Sequence, residues 1–219
     1  MCPSPGLGGI PGTQAMILNH QYRFIFIKTR KTAGTSIEVA LSRFCGPRDV
    51  ITPISPKDED LRRELGFRGP QNYQLGGIAG LISRLRREPE KNRRVFHNHI
   101  HAHKVRDRVP ADVWSSYYKI CFERNPWDKV ISAYWFKHKD GSREGLTRFI
   151  MEGEAAIFSD WERYTDQQGN LIVDHVAHYE SLTDELAAFS EKVGLPGIEL
   201  PRAKGAIRKD RRHYSERPG

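Results

Sequence analysis

The sequence predicts an α/β fold, a single domain with a mainly parallel central sheet flanked by helices. Short apolar runs of strand length alternate with segments of helical period, the pattern of strands and crossover helices. The clearest run, "YRFIFIK" (22–28), suits a parallel strand buried on both faces, and "YYKICFER" (117–124) is a second. Each leads straight into a turn that opens an amphipathic helix.

Residues 1–15 are rich in Gly and Pro and read as a loose arm ahead of one domain spanning 16–219. The helix after the first strand carries Ile37, Ala40, Leu41 and Phe44 at helical spacing, with Gly46 and Pro47 as stop signals. Residues 47–92 read as an insertion within that domain. It holds one candidate helix in "SPKDEDLRRELGF" (55–67) and another in "LGGIAGLISRLRREPEK" (75–91). A short strand is expected in "RVFHNHIH" (94–101), then a charged helix near "HKVRDRV" (103–109). In "NPWDKVISAYWFKHK" (125–139) Asn125 can cap, Pro126 suits the first helical position, and Asp128 complements the helix dipole. Trp127, Val130, Ile131 and Tyr134 form its expected apolar stripe. A turn and strand follow in 169–182, and then a helix over 183–194 with Leu186, Phe189 and Val193 inward. The tail from 201 is basic and irregular.

The chain has 219 residues, enough for a sizeable core, with 35 Lys+Arg against 27 Asp+Glu and a formal charge of +8. That excess favours an anionic partner without separating nucleic acid from a phosphorylated cofactor or an acidic glycan. Cys2, Cys45 and Cys121 are odd in number and far apart, which argues for a reducing compartment. The opening "MCPSPGLGGIPGTQAM" does not read as a secretory leader and no run of about 18 apolar residues occurs, so a cytoplasmic protein without a membrane span is expected.

The chemistry concentrates in "IKTRKTAGTSIE" (27–38). A strand–turn–helix unit presents unpaired N–H groups at the carboxyl edge of the sheet, where anions bind. Ala33 and Gly34 add little bulk, Thr32, Thr35 and Ser36 add hydroxyls, and Lys31 adds a charge. The lysine precedes the glycine, so the nucleoside-triphosphate pattern G-x-x-x-x-G-K-[ST] does not fit. Arg124, at the end of the second strand, and Ser132, on the next helix, offer a second phosphate receptor.

Taken together, "IKTRKTAGTSIE" and "CFERNPWDKVISAYW" (121–135) resemble the paired cofactor motifs of sulfotransferases that use 3′-phosphoadenosine-5′-phosphosulfate (PAPS). The likeness is greatest to the branch of the heparan sulfate 2-O-sulfotransferases. It implies a P-loop-like sulfotransferase fold, with 30–36 on the 5′-phosphosulfate, Arg124 and Ser132 on the 3′-phosphate, and 3′,5′-ADP as product. Arg30 departs from the family's commoner proline and can add a charge of its own.

Between the motifs, His97, His99, His101 and His103 alternate, and on a strand all four would face one way. Alternating histidines can ligate zinc, but no Cys or acidic ligand lies nearby, and no metal is expected. A neutral imidazole can take the proton of an attacking hydroxyl. The resemblance points to His99 as that general base, with His97 orienting the base or the acceptor, and with Lys31 catalytic beside it. The expected reaction is in-line sulfuryl transfer to a hydroxyl, on a carbohydrate by resemblance. Three other readings stay open: a P-loop-type small-molecule kinase, a basic nucleic-acid-binding protein, and an inactive glycan binder. The sulfotransferase reading expects no nucleic-acid partner, and it puts 47–92 on the acceptor side, where its basic residues suit an anionic glycan.

Overall fold

In the computed structural model, the described residues are 16–76, 82, 85–87, 89, 94–97, 99–138 and 142–201. The expected arm, most of the second helix of the insertion and the basic tail lie outside them. Five strands form one sheet in the order β3-β1-β2-β4-β5. Its core is parallel, with β2 (Phe24–Ile27) beside β4 (Tyr118–Glu123) and β4 beside β5 (His175–His178). The sheet is mixed, because β1 (Met16–Asn19) runs antiparallel to β2, and β3 (Val50–Ile51) antiparallel to β1. Neither β1 nor β3 was anticipated from the sequence.

Side chains of β2 divide by the two-residue period of a strand. Phe24 and Phe26 join Ile120 and Phe122 of β4 on one face, under α1 (Gly34–Ser42) and α8 (Leu182–Val193). Ile25, Ile27 and Cys121 point to the other face. There they meet Phe96, Ile100, α3 (Ala102–Arg106), α4 (Ala111–Ser116) and Tyr164 of α7 (Trp161–Tyr164). Helix α2 (Pro56–Glu64) begins at Ser55, whose Oγ accepts the Asp58 N–H at 3.3 Å. Helices α5 (Pro126–Lys137) and α6 (Arg143–Met151), with a 3-10 turn at Glu154–Phe158, extend beyond the carboxyl end of β4.

Two expectations are corrected. Residues 94–101 form no strand among the described residues. His99 has φ 47, and His101 is already the N-cap of α3, so the four histidines have no common face. On α5 the capping reading holds, since Asn125 Oδ1 accepts the Trp127 and Asp128 N–H groups at 3.0 and 3.4 Å. The apolar stripe holds in part: Ile131 and Tyr134 are buried and Val130 is half-buried, but Trp127 is 59% exposed, and Asp128 and Lys129 are buried beside them. The reason is a buried ion cluster that α5 covers, described next.

Candidate active site

Strand β2 ends at Ile27, and the chain crosses residues 28–33 before α1 begins. Two non-glycine residues of this turn are left-handed, Lys31 at φ 61 and Ala33, the α1 N-cap, at φ 57. A side chain in that region is strained, so surrounding contacts must hold the path. They do. Thr29 Oγ1 donates to the Phe122 carbonyl of β4, and Thr29 and Thr32 hydroxyls lie 2.9 Å apart. The Arg30 backbone N–H donates to Asp160 Oδ2 at 2.6 Å. A proline at position 30 would have no such proton.

Lys28 is the largest surprise in the loop. Its side chain is 4% exposed and lies across Gly34, where an added Cβ would meet its Cγ at 2.6 Å. Gly34 is therefore needed by the lysine inside the protein. Lys28 Nζ donates to Thr35 Oγ1 at 3.0 Å and sits 3.4 Å from Glu38 Oε2. Glu38 is fully buried, and Arg62 of α2 closes on it at 3.3 Å. Burial is the main cause that lifts the Glu38 pKa to about 7, against the opposing charges of Lys28 and Arg62.

Of the expected phosphate ligands, Thr32 and Thr35 are buried with hydroxyls turned into the fold, while Ser36 is half-buried. Lys31 Nζ lies 4.0 Å from the centroid of the Phe136 ring. Arg30 turns sideways, its Nη1 donating to the Ile157 carbonyl. Ser132 is half-buried on α5. Arg124 joins the two motifs: Nη1 donates to the Lys31 carbonyl at 3.2 Å, and its guanidinium stacks 4.3 Å from the Tyr179 centroid. Its buried Nε has no hydrogen-bond partner among the described residues. An orphaned guanidinium N–H beside a helix N-terminus is suited to an anion.

His99 closes the loop on its other side. Its Nδ1 lies 2.9 Å from the Lys28 carbonyl oxygen. A carbonyl only accepts, so Nδ1 carries the proton and Nε2 keeps its lone pair. Burial, then the charges of Lys28 and Arg163, holds the His99 pKa at about 3, so the ring is neutral at physiological pH. His97 is half-buried, and its carbonyl accepts the Ile100 N–H at 3.2 Å, forming the turn that carries His99. His101 and His103 are half-buried at the start of α3, their rings 5.3 Å apart. Among the described residues no group of three or more His, Cys, Asp or Glu is placed to hold a metal ion.

One residue that the sequence reading missed ties these parts together. Asp160 is fully buried and accepts three donors: the Arg30 N–H, Lys129 Nζ at 2.8 Å and Arg163 Nε at 2.5 Å. Arg163 Nη1 in turn donates to the His99 carbonyl, and Lys129 also pairs with Glu123 at the end of β4. The loop, α5 and the His99 turn thus share one carboxylate.

A parallel-cored α/β sheet whose strand–loop–helix turn opens a helix N-terminus at the carboxyl edge defines a phosphate-loop type of fold. A family model described as the sulfotransferase family matches residues 14–217, and the chain belongs to that family. It is a PAPS-dependent sulfotransferase, with PAPS as sulfate donor. An uncharacterised protein of Archaeoglobus fulgidus is 33% identical over 96 residues, which span 42% of this chain and 80% of the relative. No solved structure matches. The residues fit the donor: an N-terminal helix turn, Lys31 and an orphaned Arg124 N–H suit a group with phosphate at both ends. Among the described residues no helix is long and apolar enough to cross a membrane.

Proposed function

We propose that the protein transfers the sulfuryl group of PAPS to a carbohydrate hydroxyl, as a relative of the heparan sulfate 2-O-sulfotransferase branch, with His99 as general base. The observation that carries this is the His99 Nδ1 hydrogen bond to the Lys28 carbonyl, which leaves Nε2 as the proton acceptor. The loop 30–36 holds the 5′ end of the donor through its backbone, Lys31 and Ser36, not through the inward Thr32 and Thr35 hydroxyls or the committed Arg30. Arg124 and Ser132 hold the 3′-phosphate, and His97 orients the acceptor. PAPS, when bound, supplies an activated sulfur whose bond to the phosphate oxygen breaks as the new oxygen–sulfur bond forms. His99 Nε2 takes the hydroxyl proton. Lys31 and the first turn of α1 stabilise the charge that collects on the departing phosphate. A dianion on the loop also opposes the Lys28 and Arg163 charges, which makes the imidazole a better base in the complex than in the free protein.

Cytoplasmic placement is part of this proposal and rests on Cys45 and Cys121, both buried as free thiols. The test is incubation with sulfur-labelled PAPS and a set of sugar acceptors. Transfer by the parent protein and its loss in His99→Ala, with 3′,5′-ADP binding retained, is expected. Equal transfer by that variant removes His99 from the mechanism.

A further inference from the structure

A cleft of about 340 Å³ opens beside the Asp160 cluster. Its walls are Pro126 and Val130 of α5 on one side, facing Ala155, Phe158 and the half-exposed Trp161 on the other. An edge-on contact with Tyr164, 5.7 Å between ring centroids, holds the indole. The floor is charged yet balanced. Glu123 and Asp160 set two carboxylates against the cations of Lys129 and Arg124, and Lys129 bridges both acids at 2.5 and 2.8 Å. The same floor touches the reaction centre from two directions, through Asp160 to the Arg30 N–H and through Arg163 to the His99 carbonyl.

We propose that this cleft seats the acceptor and that it takes an uncharged sugar ring. This rests on the sulfotransferase reading above and adds the acceptor's place and charge. With Arg124 taken by the donor's 3′-phosphate and Lys129 saturated by two acids, an anionic sugar finds no cation left for it here, and bringing a carboxylate beside Glu123 is unfavourable. A neutral ring meets what it needs, the Trp161 face for its C–H groups and the partly exposed Glu123 carboxylate to accept a hydroxyl proton. The volume accommodates one sugar ring. The described basic residues of 47–92, an insertion expected on the acceptor side, are not on these walls.

The experiment compares p-nitrophenyl β-glucoside with p-nitrophenyl β-glucuronide, which differ only at C6, a CH2OH in one and a carboxylate in the other, as acceptors with labelled PAPS, and it scores transfer to the ring hydroxyls that both share. The expected result is a kcat/KM at least about tenfold higher for the glucoside, with Trp161→Ala raising its KM by about tenfold and Trp161→Phe restoring most of it. Calorimetry with 3′,5′-ADP should give the same Kd for all three proteins, which also shows that they fold. Preference for the glucuronide, or an unchanged KM in Trp161→Ala, overturns the proposal. So does a weakened 3′,5′-ADP affinity in that variant, which would make the cleft the donor's nucleoside pocket. Transfer to neither glycoside by protein that binds 3′,5′-ADP sinks the neutral-sugar assignment alone. Failure of the parent protein to bind 3′,5′-ADP sinks the donor reading beneath it.

Discussion

His99 reaches the loop through a left-handed backbone, φ 47, and is held there by two bonds of different kind: its ring donates to the Lys28 carbonyl, and its own carbonyl accepts from Arg163. A neutral ring with Nε2 available needs no proton removed before it acts. The kcat/KM profile should therefore show no acid limb near pH 6.5; a limb there would mean that the free-protein imidazole titrates normally. His99→Ala should lower kcat by about 10²–10⁴-fold, the usual range for a positioned base. The same shift enters stability. Between a folded pKa of about 3 and the ordinary 6.5, the unfolded chain binds more protons, so His99 makes stability rise with pH across that window. Glu38 acts in the opposite sense: raised from 4.5 to about 7, it makes stability fall as pH rises between those values. Below about 4.5 only the His99 contribution of the two still changes with pH. Urea unfolding of His99→Gln should accordingly lose less stability from pH 4.5 to 3 than the parent. Equal losses would show that the ring is already protonated in the fold.

At the scale of elements, the strand–loop–helix unit depends on fit inside the protein as much as on its outward N–H groups. Gly34→Ala would place a methyl 2.6 Å from Lys28 Cγ and force the lysine off Thr35 and Glu38. It should destabilise by about 1–3 kcal/mol and weaken 3′,5′-ADP binding together. Thermal unfolding and calorimetry on one preparation check both; a loss of binding with unchanged stability would restore the simpler view that Gly34 faces the donor. Asp160→Asn leaves Lys129 and Arg163 with one carboxylate fewer, and should cost about 3 kcal/mol as a broken buried ion cluster. The loop and α1 were legible from residues 24–47 because helix period, caps and turn residues are local signals. Asp160 was not, since its partner Arg30 lies 130 positions away and "FSDWER" (158–163) has no signature of its own. Lys28, Glu38 and Arg62 were missed for a related reason: a charged residue in a polar pattern reads as solvated, and only the packing of α2 on α1 shows that all three are buried. The alternating histidines do not follow a strand's period, because Ile100 enters the core just ahead of α3 and Ala102 opens that helix.

For the whole molecule, the sheet explains why one carboxylate can coordinate so much. Parallel β2 and β4 end side by side, so the loop after β2 and α5 after β4 start at the same edge, within reach of the segment that carries Asp160. The parallel core was readable from two apolar runs; β1 and β3 were not, being four and two residues long at the antiparallel edge. A site assembled from both strand ends should couple ligand to fold. With 3′,5′-ADP at about 100 times its Kd, the folded state gains about 2.7 kcal/mol, which raises Tm by about 5–10 °C for a chain of this size. The pattern across variants carries more than the shift itself. Arg124→Ala removes the guanidinium shared by both motifs and should abolish the shift while changing the ligand-free Tm little. Arg62→Met removes a buried cation remote from the edge and should lower the ligand-free Tm while keeping a shift. Scanning fluorimetry with and without nucleotide separates the two. If Arg124→Ala kept the full shift, the two motifs would not be reading opposite ends of one molecule, and the parallel strand ends would not be the donor site.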